Sequence, residues 1–215
     1  IGKFGIPAQS LRPAARKRDR SDGICAPEMA CQPEGLRRIE GRWLWPQHRK
    51  TEMDIALTQW INGFAGHSPA LDRAMIAISQ FGVPLIVAFV VLQWWSKTDR
   101  AHMRHAAISA GLAFLLGLAA NQVILLFVHR MRPYDAGVSQ LLIEKSADWS
   151  FPSDHATASV AVAVALLLQR LPLRAAVAVL AALLICLSRV YIGIHYAFDV
   201  LGGAAVGADV VQQRG

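Results

Sequence analysis

Charge is what this sequence has least of. Only 17% of its 215 residues are Asp, Glu, Lys or Arg, whereas 54% are hydrophobic and the mean hydropathy is +0.34. An ordinary soluble domain carries about 25% charged residues, so this balance points to a membrane protein. Cysteine is nearly as scarce. Three cysteines cannot close a complete set of disulfides, and Cys186 lies in an apolar run where a thiol behaves as a small hydrophobe. Cys25 and Cys31 could pair, but nothing else in the sequence supports a bridge. A nucleic-acid partner is excluded by where the basic residues fall. The formal net charge is +7, yet eleven of the 22 Lys and Arg residues lie in residues 1–52. Residues 53–215 hold eleven basic and nine acidic residues, too even for a basic binding patch.

Residues 1–52 are rich in Arg, Pro, Gln and Glu and have no sustained apolar period, so they are expected to be disordered or to be a non-native extension. Met53 reads as the natural start, and residues 53–215 as the folded membrane domain. Residues 55–64 (IALTQWINGF) suit an N-terminal interfacial helix, with Trp60 and Phe64 at headgroup level. Beyond them the sequence predicts an all-α, polytopic bundle of about five transmembrane helices, near 73–95, 106–128, 155–170, 173–190 and 195–211. A span takes about 20 residues as helix, so the third and fifth are short. Lys97, Arg100 and Arg104 follow the first span, and Arg170 and Arg174 follow the third, which puts both loops on the cytoplasmic side. The segments HRMRPYDAG, FPSDH and SRVYIGIH then share the opposite, extracytoplasmic face.

That face gathers His129, Arg130, Arg132 and Pro133, then Pro152, Ser153, Asp154 and His155, then Ser188, Arg189, His195 and Asp199. Ionisable residues at membrane depth are functional candidates, because leaving them unpaired in lipid is expensive. Arginines that cannot lose their charge make an anion site, and their planar fork suits phosphate oxygens. Ser153 precedes an apolar helix, so the free N–H groups of Asp154 and His155 would point at the same anion. His195 and Asp199 are four apart. On one helix they share a face, Asp199 can hold the imidazole N–H, and the other ring nitrogen is left as nucleophile or base. Taken singly, each residue has a plainer reading. Ser153 serves as an ordinary N-cap, Arg130 as an interfacial anchor, the His–Asp pair as a structural hydrogen bond, and His129 as a surface residue. Tyr191, Tyr196 and Phe198 read as packing residues. By residue type, His155, His195, Asp154 and Asp199 could also ligate a metal, but the neighbouring arginines would repel a divalent cation. It is their convergence on one membrane face that favours a phosphate site.

At these residues the sequence resembles the type 2 phosphatidic acid phosphatase (PAP2) superfamily, whose pattern runs K-x6-R-P, P-S-G-H, S-R-x5-H-x3-D. Ser188, Arg189, His195 and Asp199 match the third part fully; Pro152, Ser153 and His155 match the second; Arg132 and Pro133 match the first. Two positions depart: Leu125 stands at the Lys position, and Asp154 replaces Gly. INGFAGHSPALD and FPSDH are similar to the bacterial undecaprenyl-diphosphatase branch, of bacitracin-resistance type. The resemblance implies that His195 attacks phosphorus to form a phosphohistidine, that Asp199 orients it, and that His155 protonates the leaving oxygen and then activates water. Arg132, Ser153 and Arg189, with Asp154 and Arg130 beside them, would line the phosphate site. It also implies a polyprenyl or other lipid phosphate as substrate, the lipid bilayer as partner, no cofactor or metal, and a bacterial inner-membrane location with the site facing the periplasm. A phosphatidate or phosphatidylglycerophosphate phosphatase and a non-catalytic lipid-binding protein remain open at this level.

Overall fold

The computed structural model describes residues 46–212; most of the expected N-terminal extension therefore lies outside the described residues. Those described form six α-helices: α1 (Pro46–Asn62), α2 (Pro69–Leu92), α3 (Arg100–Leu125), α4 (Asp154–Leu168), α5 (Pro172–Tyr191) and α6 (Ala197–Gln212). A 3-10 turn, Gln93–Trp95, continues α2. Residues 46–52 are the opening turns of α1, so that helix starts upstream of Met53.

The five spans expected from the sequence correspond to α2 through α6, with ends shifted by a few residues. Three helices, Pro69–Trp95, α3 and α5, are long and apolar enough to cross a membrane. The two short ones have 15 and 16 residues, or about 22–24 Å at 1.5 Å per residue. The protein is a multi-pass membrane bundle, and its outward faces are correspondingly apolar, with Leu85, Leu115, Leu173, Leu183 and Leu201 all well exposed.

Helix α4 is the hub, packed against α3, α5 and α6. Lipid tails are as apolar as leucine, so helices in a bilayer are held by close van der Waals fit rather than by exclusion of water. The sequence of α4 serves that fit: Ala156, Ala158, Ala161, Ala163 and Ala165 are all buried. On α6, Gly203 and Gly207 form a G-x-x-x-G pair. A Cβ at either position would stand 2.5 Å from an α4-side carbonyl oxygen, that of Ser153 or Thr157. On α3, a Cβ at Gly117 would meet the Thr157 methyl at 2.9 Å.

The two arginine-bearing loops meet at one end of the bundle, as expected. The His102 ring nitrogen Nε2 lies 3.0 Å from the Gln169 carbonyl, Arg174 reaches Met103 and Ser96, and Arg104 lies over the Trp94 ring. The chain direction places residues 126–153, residues 192–196 and the first turns of α4 and α6 at the other end.

Candidate active site

Ordinary backbone chemistry shapes this end of the bundle. Helix α5 stops at Tyr191, and Gly193 turns the chain with φ +79°, where a Cβ would lie only 2.2 Å from the Gln140 carbonyl oxygen. The turn is tied to residues 139–142. Ser139 Oγ donates to the Gly193 carbonyl at 2.8 Å, and Leu142 N donates to the Ile192 carbonyl at 3.1 Å. Asn62, at the end of α1, donates to both the Tyr191 and Gln140 carbonyls and accepts from Gln140 N. His195 therefore sits in a braced turn ahead of α6, not on the helix that its spacing to Asp199 suggested.

His195 is buried, 4% exposed as a residue. Its Nδ1 is 2.7 Å from the Ser150 carbonyl oxygen. A carbonyl can only accept, so Nδ1 carries the proton and Nε2 keeps its lone pair. Asp199 was expected to take this N–H, but its nearer oxygen stands 4.0 Å away. It acts at one remove, since Oδ2 accepts from Ser150 Oγ at 2.5 Å and from Tyr196 N at 3.0 Å. Burial, and next the charges of Arg189 and Arg132, push the His195 pKa well below the ordinary histidine value. The ring is thus a neutral base with one free nitrogen.

Two groups expected to bind phosphate are buried and unsatisfied. Among the described residues, Ser153 Oγ and Arg189 Nε are the buried side-chain polar atoms with no hydrogen-bond partner. Ser153 occupies the N-cap position of α4, yet its hydroxyl makes no cap bond, so the plain N-cap reading does not account for it. Its backbone N–H donates to the Asp199 carbonyl at 3.2 Å, which joins α4 to α6. Arg189 is 7% exposed and spends one Nη on Ser79 Oγ at 2.5 Å. It lies near both His155 and His195. An unmet guanidinium N–H and an unmet hydroxyl, both dry, are donors suited to the oxygens of an anion.

The other predicted residues have protein partners. Arg132 donates to the Asp148 carbonyl at 2.8 Å, the Ile194 carbonyl at 3.0 Å and Ser146 Oγ at 3.1 Å. Three of its five N–H groups thereby clamp residues 146–148 to the His195 turn. Asp154 accepts from Asn121 Nδ2 at 2.7 Å, and Asn121 also donates to Thr157 Oγ1 at 2.9 Å. His155 is half-buried and lies against the Ser79 backbone. Arg130 is committed twice over, with Nη1 on Asp199 Oδ1 and Nη2 on Asp54 Oδ2, each at 2.5 Å, while its guanidinium carbon lies over the Tyr196 ring, 3.9 Å from the centroid. Burial works against its charge, but the two carboxylates win and raise its pKa. His129 is exposed and packs on Trp149, apart from the site.

Sequence reasoning missed Asp54, Thr58 and Asn62, all buried and spaced by four along α1. The opposite side of that helix exposes Met53 and Trp60, and Phe64 is exposed just beyond its end. It also missed Ser79, Asn121 and Ser150. The signal for the first two was a polar pair, Ser79–Gln80 and Asn121–Gln122, inside an apolar span. Among the described residues, no three His, Cys, Asp or Glu side chains group as metal ligands, so the four candidates named above do not form such a set. A cleft of about 420 Å³ lies farther along the bundle, lined by Val87, Trp94, Ile108, Phe114 and Val162 among others, and none of the polar groups above lines it.

Comparison with known proteins accords with this geometry. The PAP2 superfamily model matches residues 106–211. Undecaprenyl-diphosphatase BcrC of Bacillus subtilis is 32% identical over 154 residues, covering 72% of this chain and 78% of that protein. In fold, the chain is similar to the transmembrane PAP2-type phosphatidylglycerolphosphate phosphatase of Bacillus subtilis. The TM-score is 0.58 and the identity 23%, over 78% of this chain and 85% of that one. It is also similar to LpxE of Aquifex aeolicus, with a TM-score of 0.54 and 22% identity, over 75% of this chain and 93% of that one. With the site and these likenesses together, the chain belongs to the PAP2 superfamily and is a multi-pass membrane lipid phosphatase.

Proposed function

We propose that this protein hydrolyses undecaprenyl diphosphate to undecaprenyl phosphate and inorganic phosphate, through a phosphohistidine on His195. The observation that carries the reading is two dry, unpartnered donors, Ser153 Oγ and Arg189 Nε, the second of them near a neutral buried imidazole. BcrC, named an undecaprenyl-diphosphatase, supports the choice of lipid. The charged loops at one end of the bundle support a site on the extracytoplasmic side of a bacterial plasma membrane. The product there would be the phosphorylated form of a cell-wall lipid carrier.

In the first step His195 Nε2 attacks the terminal phosphorus. The N–P bond forms as the bond to the bridging oxygen breaks, and the lipid phosphate leaves with that electron pair. His155 supplies a proton where the leaving oxygen needs one. Arg189, Ser153 and the α4 N-terminus hold the equatorial oxygens, where the charge of a loose phosphoryl-transfer transition state resides. Phosphorylation at Nε2 leaves Nδ1 protonated, so the ring becomes cationic. The Ser150 carbonyl at 2.7 Å and the Asp199 carboxylate at 4.0 Å are both placed to stabilise that charge. Water activated by His155 then attacks phosphorus, the N–P bond breaks, and His195 returns neutral.

Phosphate release from undecaprenyl diphosphate, phosphatidate and phosphatidylglycerophosphate, with His195→Ala as control, tests the reading. Fastest release from the diphosphate, abolished in the variant, is expected. Faster release from either glycerolipid overturns the substrate, and undiminished release by His195→Ala overturns the mechanism.

A further inference from the structure

We propose that Asp54, on α1, is a positioning residue for the phosphoryl-transfer step, acting with Arg130 to hold Asp199 and the first turn of α6 where they orient His195. The inference rests on the reading above for the role of His195, and on the following geometry for the rest.

A helix begins with N–H groups that have no partner within it, and a side chain at its N-cap position usually accepts from them. In α6 that position is Tyr196, whose ring cannot do so. Two residues of another helix take over. Thr58 Oγ1 accepts from Ala197 N at 3.0 Å, and Asp54 Oδ1 accepts from Phe198 N at 2.9 Å. Thr58 in turn donates to the Asp54 carbonyl at 2.7 Å. Asp199, at the third helical position, completes the arrangement by reaching back to Tyr196 N, as the acidic residue of a capping box does. The segment carrying His195 and Asp199 is therefore fastened from α1.

The second oxygen of Asp54 sets the charge. It takes Arg130 Nη2, while Arg130 Nη1 takes Asp199 Oδ1. Asp54 is 1% exposed and Asp199 is 0% exposed. Two dry carboxylates on one guanidinium define its position closely, because each would be strongly destabilised without it. With Oδ1 held by Arg130, Oδ2 of Asp199 is left for Ser150 Oγ, and the Ser150 carbonyl takes the Nδ1 proton of His195. A continuous path thus runs from Asp54 through Arg130, Asp199 and Ser150 to the ring that takes up phosphorus. It also gives Arg130 a task other than gripping substrate: both its terminal nitrogens are engaged, and its guanidinium carbon sits over the Tyr196 ring.

Asp54→Asn keeps the shape and the acceptor for Phe198 while removing the charge that fixes Arg130. The variant, purified in detergent, should show kcat lowered about 10- to 100-fold, the effect of losing a positioned electrostatic group. KM, and inhibition by inorganic phosphate, should stay within about twofold, since neither depends on the orientation of the ring. Arg130→Gln should show the same split, and the double variant should lose little more than either single one; Arg130→Gln carries the test where Asp54→Asn does not fold. A kcat within twofold of the unaltered protein overturns the proposal. So does a rise in KM and in the phosphate inhibition constant that tracks the loss of kcat, which would mark either direct phosphate binding or a collapsed pocket. Hydrogen exchange separates this inference from the assignment of activity. In Asp54→Ala the Phe198 amide should exchange at least tenfold faster whatever the lipid, and unchanged protection overturns the proposal even if the unaltered protein proves inactive on every lipid tried.

Discussion

Gly203→Ala is the sharpest test of how helix packing sets the site. A methyl group there would lie 2.5 Å from the Ser153 carbonyl oxygen, 3.0 Å from Thr157 Oγ1 and 3.2 Å from Ser153 N. Close C···O contacts are tolerated down to about 3.3 Å, so α6 and α4 must separate locally by about 0.8 Å. Backbone cannot swing aside as a side chain can, and overpacking of this kind costs about 1–3 kcal/mol. Gly203 is one turn below Asp199 on α6, and the obstructed residue is Ser153 itself, so the separation moves both sides of the site. Misplacement near 1 Å costs on the order of 100-fold in rate. Gly207→Ala is the internal control. It places a methyl 2.5 Å from the Thr157 carbonyl oxygen in the same helix pair, one turn farther from Asp199 and clear of Ser153. Thermal unfolding in detergent should show similar losses for both variants, whereas phosphate release should fall on the order of 100-fold for Gly203→Ala and far less for Gly207→Ala. Equal losses of kcat, or a Gly203→Ala protein with normal kcat, would refute the link between this contact and the chemistry.

The remaining predictions concern charge and orientation. Burial and the charges of Arg189 and Arg132 lower the His195 pKa. A base with a lowered pKa stays unprotonated as the pH falls past the ordinary value of about 6.5, so its nucleophilic form persists there and is lost only at lower pH. Histidine-labelled NMR should show no titration of the His195 ring between about pH 8 and pH 6, and a midpoint near 6.5 would refute the electrostatic account. For orientation, a lone cysteine at exposed Ala136, with the native cysteines replaced, should react with an impermeant thiol reagent applied to intact cells. Labelling that requires permeabilisation reverses the topology.

The parts of this protein legible in the sequence are those governed by local period. Spans of about 20 apolar residues and the basic loops at their ends follow from hydropathy and charge alone, and the observed helices depart from them by only a few residues. The motif residues Ser153, Arg189 and His195 stood out because polar groups are rare against such a background. What the sequence did not reveal was who holds whom. Spacing by four predicted that Asp199 would take the His195 N–H, but that rule requires both residues to be helical, and the turn at Gly193 leaves His195 outside α6. The Nδ1 proton went instead to Ser150, in the 28-residue connection between α3 and α4, where no periodicity constrains the backbone.

The case of α1 is more instructive, because its period was visible and its meaning inverted. Asp54, Thr58 and Asn62 recur every four residues, which on a soluble helix marks the side turned to water. At a membrane surface the solvent beside a helix is partly lipid, so the apolar side can face out, as Met53 and Trp60 do. The polar stripe then turns inward, wherever the protein has backbone ends to satisfy. This one meets three: the N-terminus of α6 through Asp54 and Thr58, the C-terminus of α5 through Asn62, and the Gln140 backbone, also through Asn62. In a bundle whose helices begin and end at the reaction site, those same unsatisfied groups are the ones that place the chemistry. A polar stripe on an interfacial helix is then best read as a search for buried helix ends, and the residues it reaches lie next to the site.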